Sequence, residues 1–467
     1  MIRYNKRCDS VWPIELGLDV FTEAIKLPEQ KYIPLRHAPS VVDTRVAIVG
    51  AGPTGISLAA RLWHMGLGDS FVLLDERTTF AESFVSRLIA VGQHVMRSPY
   101  HHHLAPDGDI TLAAFGRLHW SELAASERRQ LDLARLSERS LPSARLFVDH
   151  MYHIISAHHL ARSAFQFRVT DVHRDGQYWM LCDDQNRVVR AESVVFAMGQ
   201  ISSMTSWTGT LIDPLSPNTS SGNHGNLVGV VGAGNTAGHV ILNEVRAGYR
   251  VLWFVREDER YSCTDVPHRF FRDEGIADYL RQPLSLRRKV LQEAFLGSCM
   301  PEHYRLFKAF KAHNLVTVVN KPVVNVAQAR DLQKVICSDS RVYLCSHVYN
   351  ATGLKPSPLP RIMPDIATAG GYPVLHDTTL ESVTAPNIFF AGIHSALSLG
   401  PASKLIDGTR LAAERILPAI RSRLLTDSIA TSSHNYKFAI FGRMHAIGGM
   451  DVKTGEDLDE TIAATRS

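Results

Sequence analysis

The stretch Val46-Ala-Ile-Val-Gly50-Ala-Gly52-Pro53-Thr54-Gly55 decides the fold, because the chain writes it again as Val228-Gly-Val-Val-Gly232-Ala-Gly234-Asn235-Thr236-Ala237-Gly238. Each copy begins in a β-branched run that reads as a buried strand, passes three closely spaced small residues and enters a helical pattern. Gly50 permits the sharp strand-to-helix turn, Gly52 leaves room for a pyrophosphate to approach the backbone, and Gly55 lets helix and strand pack closely. Pro53 and Thr54 open the helix, whose unpaired N–H groups face the phosphates. That helix reads Ile56 to Trp63 with no breaker before Gly66. In the second copy Gly232, Gly234, Asn235 and Thr236 take the matching places, with Ala237 or Gly238 as the third small residue.

The copies end on opposite charges. The strand Phe71–Leu74 delivers Asp75, with Glu76 beside it. A carboxylate there hydrogen-bonds a ribose diol and repels a 2′-phosphate, so the first site suits FAD or NAD. The strand Val251–Val255 delivers Arg256 instead. A guanidinium there pairs with a 2′-phosphate by charge-assisted hydrogen bonds, and Thr236 offers a further donor. Two dinucleotides, one of them carrying a 2′-phosphate, mean FAD beside NADPH, and a flavin redox enzyme.

At 467 residues the chain has room for two or three domains and a sizeable core. Its 45% hydrophobic and 21% charged residues are those of a globular protein. A formal net charge of +4 is too small to argue for nucleic acid. No apolar run has the length of a transmembrane helix, and Met1–Cys8 lacks the apolar stretch of a signal peptide, so a cytoplasmic protein is expected. The six cysteines, Cys8, Cys182, Cys263, Cys299, Cys337 and Cys345, form no C-x-x-C pair and show no metal-ligand spacing. Neither a dithiol relay nor a metal is expected.

The expected class is α/β, with two Rossmann-like dinucleotide-binding domains and the NADPH domain inserted into a discontinuous FAD domain. Residues 1–41 read as an extension with an amphipathic stretch from Ile14 to Leu27. The FAD domain begins over 42–222, with strands predicted at Phe165–Val172, Tyr178–Cys182 and Ser193–Gly199. Pro214–Gly225 reads as a linker. The NADPH domain spans 223–348 with a helical insertion at 265–313, and the strand Ser346–Gly353 returns the chain to the FAD domain over 349–432. There Asn387–Gly392 is a buried strand, and a helix from Pro401 through Arg415 would aim its N-terminus, with Ala402 and Ser403, at the isoalloxazine. The tail, 433–467, holds one strand candidate, Tyr436–Phe441.

The double fingerprint and the crossover strands resemble two-dinucleotide flavoproteins over most of 42–430. Within these the chain is most similar to the flavin-dependent N-hydroxylating monooxygenases, the lysine and ornithine hydroxylases. Three segments carry that likeness: Gln93-His-Val-Met-Arg97-Ser-Pro99 with a helix ending at Leu118, Leu141–Tyr152, and Asp265–Glu274 with the helix ending near Tyr304. Two positions depart from the pattern: Leu88–Gly92 holds no basic residue to grip a substrate carboxylate, and the family's Asn-Glu is Asp273-Glu274. The resemblance implies FAD, NADPH, O₂ and a small amine-type substrate hydroxylated through a flavin hydroperoxide. It puts Gln93 and Arg97 at the flavin face, where Arg97 meets a cofactor or makes a structural ion pair. Asp273 and Glu274 bind a substrate cation or simply open a solvated helix. His101-His102-His103 is expected on a solvated loop. Two other readings share these features: an NADPH-dependent flavin oxidoreductase that inserts no oxygen, and a non-enzymatic flavin-bound sensor or partner module. Homo-oligomers are compatible with all three.

Overall fold

The computed structural model describes residues 25–136, 139–203, 206–216 and 226–431, with side chains to Leu424. Cys8, most of the Ile14–Leu27 stretch and the Tyr436–Phe441 strand candidate lie outside the described residues. Residues up to Leu417 make one compact unit, and the unit beginning at Pro418 is described only through Thr431.

The first glycine-rich unit builds a nine-stranded sheet. Its centre is β1 (Val41–Val49), followed by α1 (Pro53–His64) and β2 (Phe71–Asp75). After α2 (Ala144–Ala157) come β3 (Ala164–Gln166), β4 (Asp171–Asp175), β5 (Tyr178–Cys182) and β6 (Val188–Phe196). The order runs Arg36–His37, β3, β2, β1, β6, β5, β4 and Arg361–Met363. Strands β3, β2, β1 and β6 are parallel, whereas β6, β5 and β4 form an antiparallel meander. Parallel strands covered on both faces read as continuous apolar runs, and Ile48, Leu73 and Val195 are indeed fully buried.

The predicted single strand Phe165–Val172 divides into β3 and β4. The Phe167 N–H closes onto the Asp75 carbonyl at 2.7 Å, ending the ladder with β2, and the chain then crosses to the meander.

The second unit has its own four-stranded parallel sheet. It comprises β7 (Leu227–Val231), α3 (Asn235–Arg246), β8 (Arg250–Val255), then an insertion of α4 (Asp273–Leu280), α5 (Leu284–Ala294) and α6 (Pro301–Ala312), and finally β9 (Val316–Asn320) and β10 (His347–Asn350). The order is β9-β8-β7-β10. An antiparallel meander, Val323–Ala329, Leu332–Cys337 and Val342–Cys345, covers one face by packing Val326 and Val335 against Phe254 and Val348.

Strand β11 (Ile388–Phe390) pairs with β6, so the chain has returned to the first sheet. The second Rossmann unit is therefore inserted into the first. The helix expected from Pro401 is interrupted: Pro401–Lys404 is one 3₁₀ turn, Leu405 is extended (φ −102°, ψ 167°), and α7 (Ile406–Thr431) starts after it. Gly408 makes the break compact, since a side chain there would overlap the Ala402 carbonyl oxygen.

Candidate cofactor and substrate sites

The two glycine-rich turns are built alike. Gly50 and Gly232 have φ of +114° and +130°, conformations open to glycine, and a Cβ on either would strike a carbonyl oxygen, of Ala197 or Ala351. Those carbonyls belong to the residues just after β6 and β10. Ala197 N–H donates to Val49 O and Ala351 N–H to Val231 O, each at 2.8 Å. The turns are closed equivalently, Gly50 N–H onto Leu74 O at 2.7 Å and Gly232 N–H onto Phe254 O at 3.0 Å.

The first site fits FAD. A Cβ at Gly52 would meet nothing within 4 Å, leaving the approach of a pyrophosphate clear at the N-terminus of α1. Thr54 touches Thr409 at 3.4 Å, and Gly392 lies beside the same Thr54 hydroxyl. Ala402 and Ser403 are buried, and Ser403 Oγ has no hydrogen-bond partner, as expected of a group that awaits a ligand. Asp75 accepts the Ala51 N–H at 2.7 Å and the Arg77 N–H at 2.9 Å. Burial raises its pKa and these two donors oppose the rise, while spare lone pairs stay available for a ribose. Glu76, next in the chain, is exposed and lies 3.6 Å from Arg168 in a surface ion pair.

The second site fits NADPH. Asn235 Oδ1 is buried without a partner at the start of α3, beside Thr236. Arg256 is exposed at the end of β8 and has no side-chain partner among the described residues. A feature invisible in the fingerprint covers this site: Gly297, at φ +76°, approaches Gly234, and Cys299 directs its thiol toward the Ala233 and Gly234 carbonyls at 3.8 and 3.6 Å. Burial pushes that thiol's pKa up, so it behaves as packing. The run of small residues Gly297-Ser298-Cys299 after α5 was the available signal.

A cavity of about 860 Å³ opens where the flavin-face segment, the insertion and the start of α7 converge. Arg97 stands at its edge with the guanidinium fully engaged: Nε on Cys263 O, one terminal nitrogen on Asp265 (3.0 Å) and Ser298 O, the other on Ser262 and Ser298. Of its two readings, the structural ion pair is the one found. Gln93 bonds Val95 O of its own segment at 2.9 Å. Of the two readings for Asp273 and Glu274, the geometry matches the solvated helix start: both are exposed in the first turn of α4 and neither lines this cavity, whereas Asp265 and Arg272 do.

The three histidines sit on a loop, as expected, with His101 exposed, and what the expectation lacked is that all three line the cavity, His102 and His103 half-buried there. His102 stacks on Phe271 with centroids 5.3 Å apart, and burial pushes its pKa down to about 4. Lys404, with Nζ 4.0 Å from the Phe295 ring centroid, is pulled by burial down to about 8. Tyr100, Lys404, Asp407 and Arg410 escaped sequence reasoning because they belong to no motif and meet only through folding.

Residues 47–201, from β1 to just beyond β6, match the family model described as FAD-NAD(P)-binding. The first unit and the inserted unit together share their fold with solved flavoproteins. An ornithine N-hydroxylase of Kutzneria sp. 744 superposes with a TM-score of 0.66 at 17% identity, over 82% of this chain and 99% of that one. The ornithine hydroxylase of Pseudomonas aeruginosa gives 0.64 at 15%, over 82% and 100%. A bacillithiol disulfide reductase of Staphylococcus aureus gives 0.53 at 14%, over 82% and 99%. No curated protein matches the sequence. Among the described residues no three His, Cys, Asp or Glu side chains are grouped to hold a metal, and no helix is long and apolar enough to cross a membrane.

Proposed function

We propose that the chain is an FAD- and NADPH-dependent monooxygenase that N-hydroxylates a small amine. The observation that carries this reading is the cavity of about 860 Å³ at the flavin-face segment, where Arg97 and His101–His103 of the first unit face Cys263–Asp265, Phe271 and Arg272 of the second. The ornithine hydroxylases among the structural neighbours support it. Bound FAD, reduced by NADPH, supplies the oxygen-activating chemistry.

The chain's own residues bind, orient and exclude water. Gly50, Gly52 and Gly55 with the N-terminus of α1 receive the FAD pyrophosphate, and Asp75 accepts from its ribose. Gly232, Gly234, Asn235 and Thr236 receive the NADPH pyrophosphate, with Arg256 on the 2′-phosphate. Arg97 ties the insertion to the flavin-face segment and so keeps solvent from the reacting centre. An amine reacts only as the free base, and an apolar wall with nearby guanidinium groups lowers the pKa of an ammonium group placed beside it.

The FAD-loaded protein, supplied with NADPH, O₂ and a panel of amines, should form a hydroxylamine in proportion to NADPH consumed. Hydrogen peroxide alone across the panel would replace this reading with that of a flavin oxidoreductase inserting no oxygen. NADPH turnover of either kind removes the sensor reading.

A further inference from the structure

We infer that the cavity selects a substrate with one amine and one carboxylate and no second cationic centre, an ω-amino acid rather than a diamine or dibasic amino acid. The inference rests on the N-hydroxylation reading only for the fate of the amine; the selection follows from a charge ledger of the wall.

Two carboxylates line the cavity and both are taken. Asp265 accepts from Arg97 at 3.0 Å and from Ser298 Oγ at 2.6 Å. Asp407 is buried and receives Arg410 on both oxygens at 3.0 Å. A third guanidinium on the wall, Arg139, is matched by the fully buried Glu302 at 2.9 and 3.1 Å. What remains is Arg272, which lines the cavity with no side-chain partner among the described residues. Of the four histidines on the wall, His101, His102 and His103 add no charge at neutral pH, because burial lowers their pKa, and His268 is exposed beside the Phe271 ring.

A second ammonium group entering here would find no free carboxylate and would be desolvated without a counter-charge. A carboxylate finds a fork-shaped donor. Arg272, an exposed guanidinium without a side-chain partner among the described residues, offers a single fork, which suits a carboxylate monoanion. The wall also expects a polar ligand: Tyr100 OH and His103 Nδ1 are buried there without a hydrogen-bond partner, and Tyr100 is only 2% exposed.

The test uses FAD-loaded protein, NADPH and three probes of similar length: 6-aminohexanoate, hexylamine and cadaverine. Binding is read from perturbation of the flavin absorbance and product as hydroxylamine. 6-Aminohexanoate should bind at least 10-fold tighter than hexylamine, and cadaverine weakest of the three. Arg272→Gln should raise KM for 6-aminohexanoate at least 10-fold, with kcat little changed and hexylamine unaffected, and Arg272→Lys should restore part of the loss. Preference for cadaverine, or an equal effect of Arg272→Gln on both monoamines, overturns the inference while leaving N-hydroxylation standing. Selective, Arg272-dependent binding of 6-aminohexanoate that yields only hydrogen peroxide sinks the N-hydroxylation reading and leaves the selectivity intact.

Discussion

A methyl group added at Gly55 would overlap the Gly50 carbonyl oxygen, whereas one at Gly52 would meet nothing within 4 Å. The two glycines of one motif therefore fail in different ways. Gly55→Ala drives α1 away from the turn and should lower thermal stability, FAD or no FAD, by on the order of 1–3 kcal/mol, the usual cost of overpacking. Gly52→Val leaves the protein folded and fills the pyrophosphate approach, so it should purify colourless with a normal apoprotein melting transition. Retention of FAD by Gly52→Val would refute the placement of the cofactor. Arg256 has no side-chain partner among the described residues, so its removal breaks no bond seen there. Arg256→Ala should raise KM for NADPH about 10–100-fold, the worth of one or two charge-assisted hydrogen bonds, and barely touch NADH. Equal losses for both nucleotides would remove the 2′-phosphate from this site.

Elements were legible wherever a local pattern dictates them, and sites only where the pattern itself is the site. β1, α1, β2 and their counterparts β7, α3 and β8 show themselves because strand, glycine turn and helix each need a residue type at a fixed offset. The α7 start was misread because the break at Leu405 comes from packing Gly408 onto Ala402, a contact no periodicity encodes. The histidine loop was legible but its place on the cavity wall was not, since His102 is half-buried against Phe271, 169 positions away in the chain. Burial has a measurable consequence within α2. His150 Nε2–H donates to Ile110 O (2.8 Å), and the imidazole packs 5.3 Å from the Phe115 ring and is pushed by burial down to about 4. His102 is lowered to the same value. Each folded-state pKa lies below the unfolded value of about 6.5. The stability they contribute is thus complete above pH 6.5 and is lost as the pH falls toward 4, by on the order of 3 kcal/mol for each imidazole. Thermal melts of the holoprotein should show this acid slope, and His150→Gln should make it shallower. A melting temperature unchanged from pH 6.5 to 4 would contradict the buried neutral imidazoles.

Across the whole molecule one guanidinium makes a dense set of bonds between the two Rossmann units. Arg97 sits in the flavin-face segment of the first unit, yet its bonds all run to Ser262, Cys263, Asp265 and Ser298 of the insertion in the second. Side chains of Arg97 and Asp265 are only 14% and 17% exposed, so the pair is far from a solvated surface bridge. Arg97→Ala leaves Asp265 half-satisfied by Ser298 and should cost about 3 kcal/mol, as expected when one partner of a buried pair is removed. Loosening the insertion also loosens the Gly297–Cys299 segment that lies over the second glycine turn. Arg97→Ala should therefore raise KM for NADPH and divert more of the NADPH consumed to hydrogen peroxide, while FAD content stays near wild type because the first glycine turn is untouched. Arg97→Lys keeps the charge but loses the fork and should fall between. A merely structural residue would lower stability without changing the ratio of hydrogen peroxide to product. An unchanged ratio in Arg97→Ala would thus reduce the clasp to ordinary packing, whereas loss of FAD with unaltered NADPH affinity would move Arg97 to the flavin itself.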